Sequence, residues 1–519
     1  MAGEDGGPIR VRYGAPAPDE MEPPALAMTP LKLKLMAVGY DTLWLSLFLS
    51  ALETTIVGTS LLRIGEDLND TSNTEWVVVV YLLTYDAFLL VSTNLGDVFG
   101  LKLILLIANS IFMIASITCA VAQTLPQLIV FRAFQGMGGS GIYSVSFLLS
   151  SVYAIANLLG PILGGAITDH TTWRWVFWIN VPGAAITIVI LIFTVPQMQI
   201  NMGGNILNAL KRADIVGCTL SVIWFIPLFF ALQEAGSLYP WDSAPIIATL
   251  VLRLVLLFMF ALYETRLMRC SVYEPTFPVR YLVDGVVSTI MLSMFSSGVL
   301  FYVAIIEIPQ RFQIVNGLSA ERSGILLLPM TIVTPFSATA AGIIAGKKPR
   351  LCEYLTLGGT ALALVNGSAT YQSQHPSPQY GYQVILSLVL GLIMPSVFMI
   401  LRMTISQAQL ASAIGANNMV RTLGGCIGLA ICSSVSRSEL DAGLGTFLSE
   451  AQIKALSQST ASLSLLPGAE EQRVRSVYGG SFNEEIPGLD CLWWSWSARI
   501  SWAYCGEMAS GEGEAGIAI

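Results

Sequence analysis

The chain has little charge. Only 12% of its 519 residues are Asp, Glu, Lys or Arg, whereas a soluble globular domain carries about 25%. Hydrophobic residues make up 54%, and continuous apolar runs of about 20 residues, enough to cross about 30 Å of hydrocarbon, recur along most of the length. The runs do not alternate apolar and polar residues, as membrane strands would. The sequence therefore predicts an all-α protein that crosses a membrane many times.

Histidine and paired cysteine are also scarce. The chain has two histidines and eight cysteines, and the cysteines are scattered without a CxxC pair. These features argue against a structural zinc site or a disulfide framework. No nucleotide-binding loop, nucleophile elbow or histidine cluster accompanies the few buried acids. We therefore expect no enzyme activity, and no metal, cofactor or nucleic-acid partner.

The apolar runs divide the chain into thirteen clear spans and a doubtful fourteenth. The predicted spans are 39–62, 76–96, 103–122, 127–145, 147–168, 175–195, 215–233, 244–263, 285–308, 323–346, 354–372, 381–402 and 411–435, with the doubtful one at 491–506. The corresponding regions are a disordered cytosolic tail (1–38), a six-span half (39–195), a linker with two inserted spans (196–264), spans 9–13 of a second half (265–435), an extracellular loop (436–490), and a degenerate last span and tail (491–519).

Lysine and arginine fall mainly in alternate connections, such as 211–212 and 347–350. By the positive-inside rule these connections are cytoplasmic, so the N-terminus is predicted to lie inside. Two glycosylation sequons, at Asn69 and Asn366, both fall at predicted outward ends. The charge pattern and the sequons thus favour the same topology, and predict a glycoprotein.

The stretch 127–168 holds two crossings with almost no connection. As one helix it would be about 63 Å long, twice what a bilayer needs. The sequence SVSFLLSS offers serines there but no charged or proline-rich loop. We expect an unusually tight turn near 144–147.

A few ionisable residues lie inside predicted spans, where a charge costs about 2.5–3.5 kcal/mol on insertion scales. Glu53 and Asp86 are the natural proton carriers, since a carboxylate there can change its charge. Arg132 cannot lose its proton and would act as a fixed charge beside a carboxylate. The alternatives are a structural hydrogen bond for Glu53 and an untitrated, cavity-facing position for Asp86. The other ionisable residues in or near spans are Arg253, predicted to be peripheral, Arg421, and Glu307, predicted to lie near an interface.

Small residues recur at fourfold spacing, as in Gly160 and Gly164 or Gly424 and Gly428. Such pairs let helix backbones approach closely and slide, although ordinary tight packing explains single pairs nearly as well. Pro161 removes one helical hydrogen bond beside the first pair and predicts a kink.

Several stretches together resemble the major facilitator superfamily, and within it the fourteen-span drug:proton antiporters of the fungal efflux-pump type. LGDVFGLK (95–102) is similar to the loop between spans two and three, with Asp97, Gly100 and Lys102 in place. It departs from the pattern at Thr93 and Leu101, so the resemblance implies a weaker cytoplasmic charge latch.

Other motifs of this family follow in the same order along residues 39–480. FRAFQGMGG is similar to the fourth-span motif, and its Arg132 and Gln135 are thereby implicated in proton coupling. LETTIV places Glu53 where the family usually carries an aspartate. WRWVFWINVP (173–182) is a further match. LLGPILGGAI is similar to the antiporter motif of the fifth span, with Gly160, Pro161, Gly164 and Gly165 matching and Ala156 in place of a common glycine.

The resemblance implies two six-helix halves plus two inserted helices, with a substrate site between the halves. It implies proton-driven export of a small amphiphilic compound, such as a toxin, drug or secondary metabolite, by alternating access. The partners would be the substrate, protons and the lipid bilayer, and the protein would act as a monomer. The expected location is the cell membrane, with the vacuolar membrane as the alternative.

Two departures leave other interpretations open. About two dozen residues that usually form an inside loop between spans four and five are missing, and the last apolar stretch is short and interrupted by Arg499. An inactive truncated product is therefore one alternative. Import of a nutrient or iron chelate on the same fold is another.

Overall fold

The computed structural model describes residues 30–71, 73–146, 151–194, 215–235, 239–270, 285–348, 376–405, 410–449 and 467–484, with positions 351, 356, 452, 453 and 456. Regular structure in these ranges is helical, apart from one bridge between Ala235 and Tyr239. The helices are α1 (Pro30–Ile56), α2 (Leu61–Asp67), α3 (Glu75–Phe99), α4 (Leu101–Ala120), α5 (Leu125–Ser146), α6 (Ser151–His170), α7 (Trp175–Trp178), α8 (Asn180–Thr194), α9 (Ile215–Ile223), α10 (Phe225–Glu234), α11 (Ala244–Cys270), α12 (Gly285–Ile314), α13 (Ala320–Ile325), α14 (Leu328–Lys347), α15 (Pro376–Thr404), α16 (Leu410–Leu444) and α17 (Gly468–Glu484).

Each predicted span within the described residues coincides with a helix or a helix pair. The predicted spans 354–372 and 491–506 lie outside the described residues, apart from position 356. By length and apolar composition, seven helices or helix pairs in the described part are able to cross a membrane, and an eighth if α1 and α2 form one bent span. The all-α membrane class predicted from the sequence is confirmed.

The predicted pair of crossings in 127–168 corresponds to two helices, α5 and α6. Helix α5 packs against α3 and α4, whereas α6 packs against α1 and α13. The two helices therefore share α1 as a neighbour and otherwise pack against different helices. The connecting residues 147–150 lie outside the described set.

Helices α1 and α2 meet at a sharp bend of 70° around Val57–Ser60. The Thr55 hydroxyl donates to Leu52 O and the Thr59 hydroxyl to Ile56 O. Such bonds from short side chains compete with the regular helical ladder. The bend follows the last turn of α1, which carries Glu53.

The helices form two bundles that meet along two seams. In the first bundle α5 lies on α3 and α4, and α1 lies on α6 and α8; in the second, α14 lies on α15 and α12 on α16. Helix α3 packs against α16 along one seam, and α6 against α13 and α14 along the other. The inserted helices α9 and α10 contact α3 and α16, so they flank the first seam.

Glycines allow the closest helix contacts. A Cβ added at Gly160 would fall on the Thr55 side chain, and one at Gly164 on the Ile56 carbonyl. A Cβ at Gly424 would likewise meet the Phe295 backbone. The spacing of small residues thus corresponds to helix interfaces within each bundle.

Candidate functional site

Glu53 lies in the last turn of α1 and is completely enclosed, with 1% of its surface exposed. Arg132 of α5 forms an ion pair with one carboxylate oxygen. Asn180, the first residue of α8, donates its side-chain amide to the other oxygen at 2.5 Å. Both partners are 0% exposed. The acid is therefore held from two helices that are remote in sequence.

The Arg132 guanidinium is itself fixed in place. Its Nε donates to Val77 O of α3 at 2.9 Å, and Nη1 donates to Gln135 Oε1 at 2.8 Å. The guanidinium carbon lies 4.3 Å from the Tyr81 ring centre. Gln135 in turn donates to Ser116 Oγ of α4 at 2.9 Å. Nearly every span of the first bundle therefore contributes to one polar cluster.

This arrangement gives the Glu53 cluster two chemically distinct states. With Glu53 ionised, its charge and that of Arg132 cancel. With Glu53 protonated, the arginine charge remains in a site of low dielectric, because a guanidinium does not lose its proton. Uptake of one proton would therefore weaken the attraction between α1 and α5.

Sequence reasoning did not single out Asn180. It lies at the break between α7 and α8, just after Ile179, and its Oδ1 has no hydrogen-bond partner among the described residues. The available signal was an asparagine within an apolar span, in WINVP, where any polar side chain is costly and so a functional candidate.

The Glu53 cluster is adjacent to contacts between the two bundles. The bend runs from Val57 to Ser60, and α2 starts at the next residue. Gln313 of α12 donates a hydrogen bond to Thr59 O in this bend at 3.1 Å. The hydroxyls of Ser60 and Thr168 of α6 are 2.7 Å apart. The end of α1 that carries Glu53 thus contacts both α6 and the second bundle.

The same end of the molecule carries further contacts between the bundles. Asp169 of α6 accepts a hydrogen bond from Glu321 N of α13 at 2.7 Å, and His170 Nε2 lies 3.1 Å from the Glu321 carboxylate. A Cβ added at Gly165 would meet the Ala320 backbone. The charge pattern predicts that this end faces outward, and along α6 and α13 the bundles are closed against each other here.

Asp86 belongs to a different cluster, at the seam between α3 and α16. Its carboxylate, 2% exposed, lies within electrostatic reach of Arg421 of α16, and neither of its oxygens has a hydrogen-bond partner among the described residues. Arg421 donates to the Tyr302 hydroxyl at 3.4 Å. Asn417, one turn before Arg421, is 1% exposed, and its amide atoms have no hydrogen-bond partner among the described residues. Polar groups from both bundles therefore meet at the centre.

The loop motif between α3 and α4 is only partly described. Gly100 has a positive φ of 94°, which suits glycine at the sharp turn between the helices. The Lys102 ammonium donates to Ile192 O, near the end of α8, at 2.9 Å. The side chain of Asp97 is outside the described set.

Two charged positions on α12 are more deeply buried than the sequence predicted. Glu307, predicted to lie near an interface, is 4% exposed, and Arg311, beyond the predicted end of this span at 308, is 2% exposed. The cause is the length of α12, which continues to Ile314 beyond the predicted end at 308. Arg253 is half-buried on α11, whose apolar face is largely exposed, as its predicted peripheral position implies.

The structure describes one of the two predicted glycosylation sequons. Asn69 is exposed just after α2, in a left-handed conformation with φ 56°. Asn366 lies outside the described residues.

A bundle of apolar helices that encloses charged side chains, among them the Glu53–Arg132 ion pair, is typical of a membrane transporter. Comparison with known families gives the class directly. The Major Facilitator Superfamily model matches residues 43–151 and 145–429. The chain belongs to this superfamily. The two matched segments meet where α5 gives way to α6.

The curated relatives are fungal transporters. The chain is 38% identical over 476 residues to the MFS-type transporter FPY5 of Fusarium mangiferae, covering 86% of this chain and 80% of the relative. It is 30% identical over 446 residues to the rubrofusarin-specific efflux pump aurT of Gibberella zeae, covering 80% and 79%. The resemblance predicted from the motifs is confirmed.

Solved structures agree on the fold. A bacterial homologue of the lysosomal transporter Spinster, in an inward-facing and unoccupied conformation, matches with a TM-score of 0.60 at 12% identity, covering 92% of this chain and 97% of that one. A D-xylose-proton symporter matches with a TM-score of 0.54 at 14% identity, covering 84% and 99%. The major facilitator fold predicted from the sequence is confirmed.

Proposed function

We propose that the protein is a proton-coupled efflux transporter that exports small amphiphilic organic compounds by alternating access. The observation that carries this proposal is the buried Glu53, paired with Arg132 and Asn180 beside the contacts that close the bundles. A buried acid with a fixed cation is suited to reversible proton binding.

In the proposed cycle, ionised Glu53 holds the end of α1 against α5 and α8. A proton that enters from outside cancels this attraction, and the adjacent bend at Val57–Ser60 changes its contacts with α12. The bundles then rock and expose the central seam to the other side. Coupling requires that proton and cargo bind the inward and outward states with different affinities.

Cargo would bind at the seam where Asp86, Arg421 and Tyr302 meet. This region combines a carboxylate, a guanidinium and aromatic rings. The centre of the Phe301 ring lies 5.8 Å from the Arg421 guanidinium carbon. Such a surface suits compounds with both apolar and polar parts. The relative aurT is named as a rubrofusarin-specific efflux pump, which supports a secondary metabolite as the cargo. Arg132 and Gln135 would take part in proton coupling.

The glycine-rich segment of α6 and the loop between α3 and α4 would have roles in the movement of the bundles. Gly160, Pro161, Gly164 and Gly165 would let α6 shift against α1 and α13, and Asp97, Gly100 and Lys102 would latch the cytoplasmic end. The protein would act as a monomer, with Asn69 and Asn366 glycosylated. It would lie in the cell membrane or the vacuolar membrane.

The proposal is tested by expression in a drug-sensitive yeast challenged with a panel of toxins at several external pH values. Wild type is expected to protect against some compounds and to lower their cellular content. Glu53→Gln is expected to lose protection, whereas Glu53→Asp, which keeps the carboxylate, is expected to retain it. Net accumulation of the compounds would indicate import, and equal protection by Glu53→Gln at every pH would contradict proton coupling.

A further inference from the structure

A cavity lies between the two bundles, at the predicted outer end of the seam that α3 forms with α16. Its volume is about 780 Å³, within the range of small-molecule sites. One wall comes from the start of α3 and the residues just before it, and from the start of α5, including Trp76, Leu125 and Ile129. The opposite wall comes from the last turns of α16 and from α17, including Leu440 and Phe482.

The wall formed by α16 and α17 is firmly attached. Arg475 of α17 donates to Ile314 O at 2.5 Å, and its guanidinium also bonds to Glu471 at 2.9 Å. The hydroxyls of Ser436 and Ser481 are 3.2 Å apart. Leu444 and Val474 belong to a small apolar core between the two helices. The wall formed by α16 and α17 is therefore held by specific contacts, and it extends beyond the predicted end of the membrane span at 435.

The charges that line the cavity are mostly negative. Among the described lining residues, four are acidic, and Arg437 is the one basic residue. The acidic residues are Asp70, Glu75, Glu234 and Glu307. The rest of the lining is largely apolar, with leucines, isoleucines and aromatic rings on both walls. An apolar cavity with excess negative charge is complementary to a molecule that is both apolar and cationic.

We propose that this cavity is a second binding site, open to the outside, for amphiphilic organic cations. The cavity does not include Glu53, Asp86 or Arg132, so binding there does not require the proposed transport cycle. Glu234, at the end of α10, would give the inserted helices a part in ligand recognition.

Tetraphenylphosphonium and tetraphenylborate are suitable probes, because they have nearly the same shape and opposite charge. In intact cells, Leu440→Cys places a thiol in the cavity wall, and labelling with a membrane-impermeant maleimide reports whether the cavity is open to the outside. Glu439→Cys is the matched control, because Glu439 is exposed on the same helix and does not line the cavity.

If the cavity binds organic cations, tetraphenylphosphonium should slow maleimide labelling of Leu440→Cys at least tenfold. The labelling rate of Glu439→Cys should stay unchanged. Tetraphenylborate should not protect. Adding Glu234→Gln and Glu75→Gln should raise the tetraphenylphosphonium concentration for half-protection about tenfold, whereas Glu439→Gln should leave it unchanged.

Equal protection by both ions would overturn the proposal, as would failure to label Leu440→Cys in cells where Glu439→Cys is labelled. The proposal would also be overturned if the Glu75 and Glu234 substitutions left the tetraphenylphosphonium concentration for half-protection unchanged. None of these readouts requires transport, so a chain that fails to export still tests the site.

Discussion

Among the described residues, Glu53 and Asp86 are buried acids that each lie near an arginine, and their surroundings are built differently. Glu53 and Arg132 belong to the same bundle, and their partners Asn180, Gln135 and Val77 come from that bundle too. Asp86 and Arg421 come from opposite bundles and interact electrostatically across the seam, where neither Asp86 oxygen has a hydrogen-bond partner among the described residues. In the proposed rocking motion the first pair would stay together, whereas Asp86 and Arg421 would move apart.

This difference suggests a division of roles. A site that stays intact through a rocking motion is able to keep a proton while the cavity changes sides. Two charges that face each other across the seam would change their separation in every cycle, and they lie where cargo would bind. We therefore propose that Glu53 binds the proton and expect Asp86 to act mainly on cargo.

The largest expected effect comes from Glu53→Gln. The amide has nearly the same shape but cannot exchange a proton, so proton-driven transport should fall to background while cargo binding persists. The measurement is uptake into inside-out vesicles with and without an imposed pH gradient. Glu53→Asp is the control, and a Glu53→Gln protein that still responds to the gradient would break the contrast between the two pairs.

Arg132→Lys is expected to have the next largest effect. Lysine keeps the charge but loses the fork that reaches Val77 O and Gln135 together. Loss of such bonds costs about 1.5–3 kcal/mol each, so we expect a lower unfolding temperature and transport reduced by about tenfold or more. Thermal unfolding in detergent and vesicle uptake check this together. An unchanged protein would show that the guanidinium geometry is unimportant.

Asn180→Leu should reduce proton-driven transport about tenfold, because it removes a hydrogen bond to the ionised form of Glu53. The pH dependence of transport should also move towards higher pH, since the ionised state loses support. Thr187→Val is the matched control, as Thr187 is buried on the same helix away from the cluster. If both variants gave the wild-type pH profile, Asn180 would have only a packing role.

Asp86→Asn should have the smallest effect on coupling. We expect the response to a pH gradient to remain, while the relative transport of different cargoes changes by several-fold. Competition between neutral, cationic and anionic compounds in vesicles measures this. Loss of coupling in Asp86→Asn, with Glu53→Gln still coupled, would reverse the two assignments.

Much of the fold followed from the sequence because apolar length has a simple physical meaning in a bilayer. The positions of the helix ends did not. Helix α12 continues through Pro309 to Ile314, and α16 continues to Leu444, since these polar segments pack against other helices. Helix α17 lies within the segment 436–490, which the sequence predicted as a loop.

The individual site residues were also easier to predict than their partners. Glu53, Asp86 and Arg132 stand out because charge is costly within a span. Which acid meets which arginine depends on how remote helices pack, and neither composition nor spacing within one helix contains that information. Asn180 was missed because an amide carries no charge, although it completes the hydrogen bonding of Glu53.

The most direct test of the central claim is proton movement on cargo addition, measured with a pH-sensitive dye inside vesicles that contain purified protein. Wild type should move protons when a transported compound is added, and Glu53→Gln should bind the compound without moving protons. Cargo-dependent proton movement of normal size in Glu53→Gln would contradict the account.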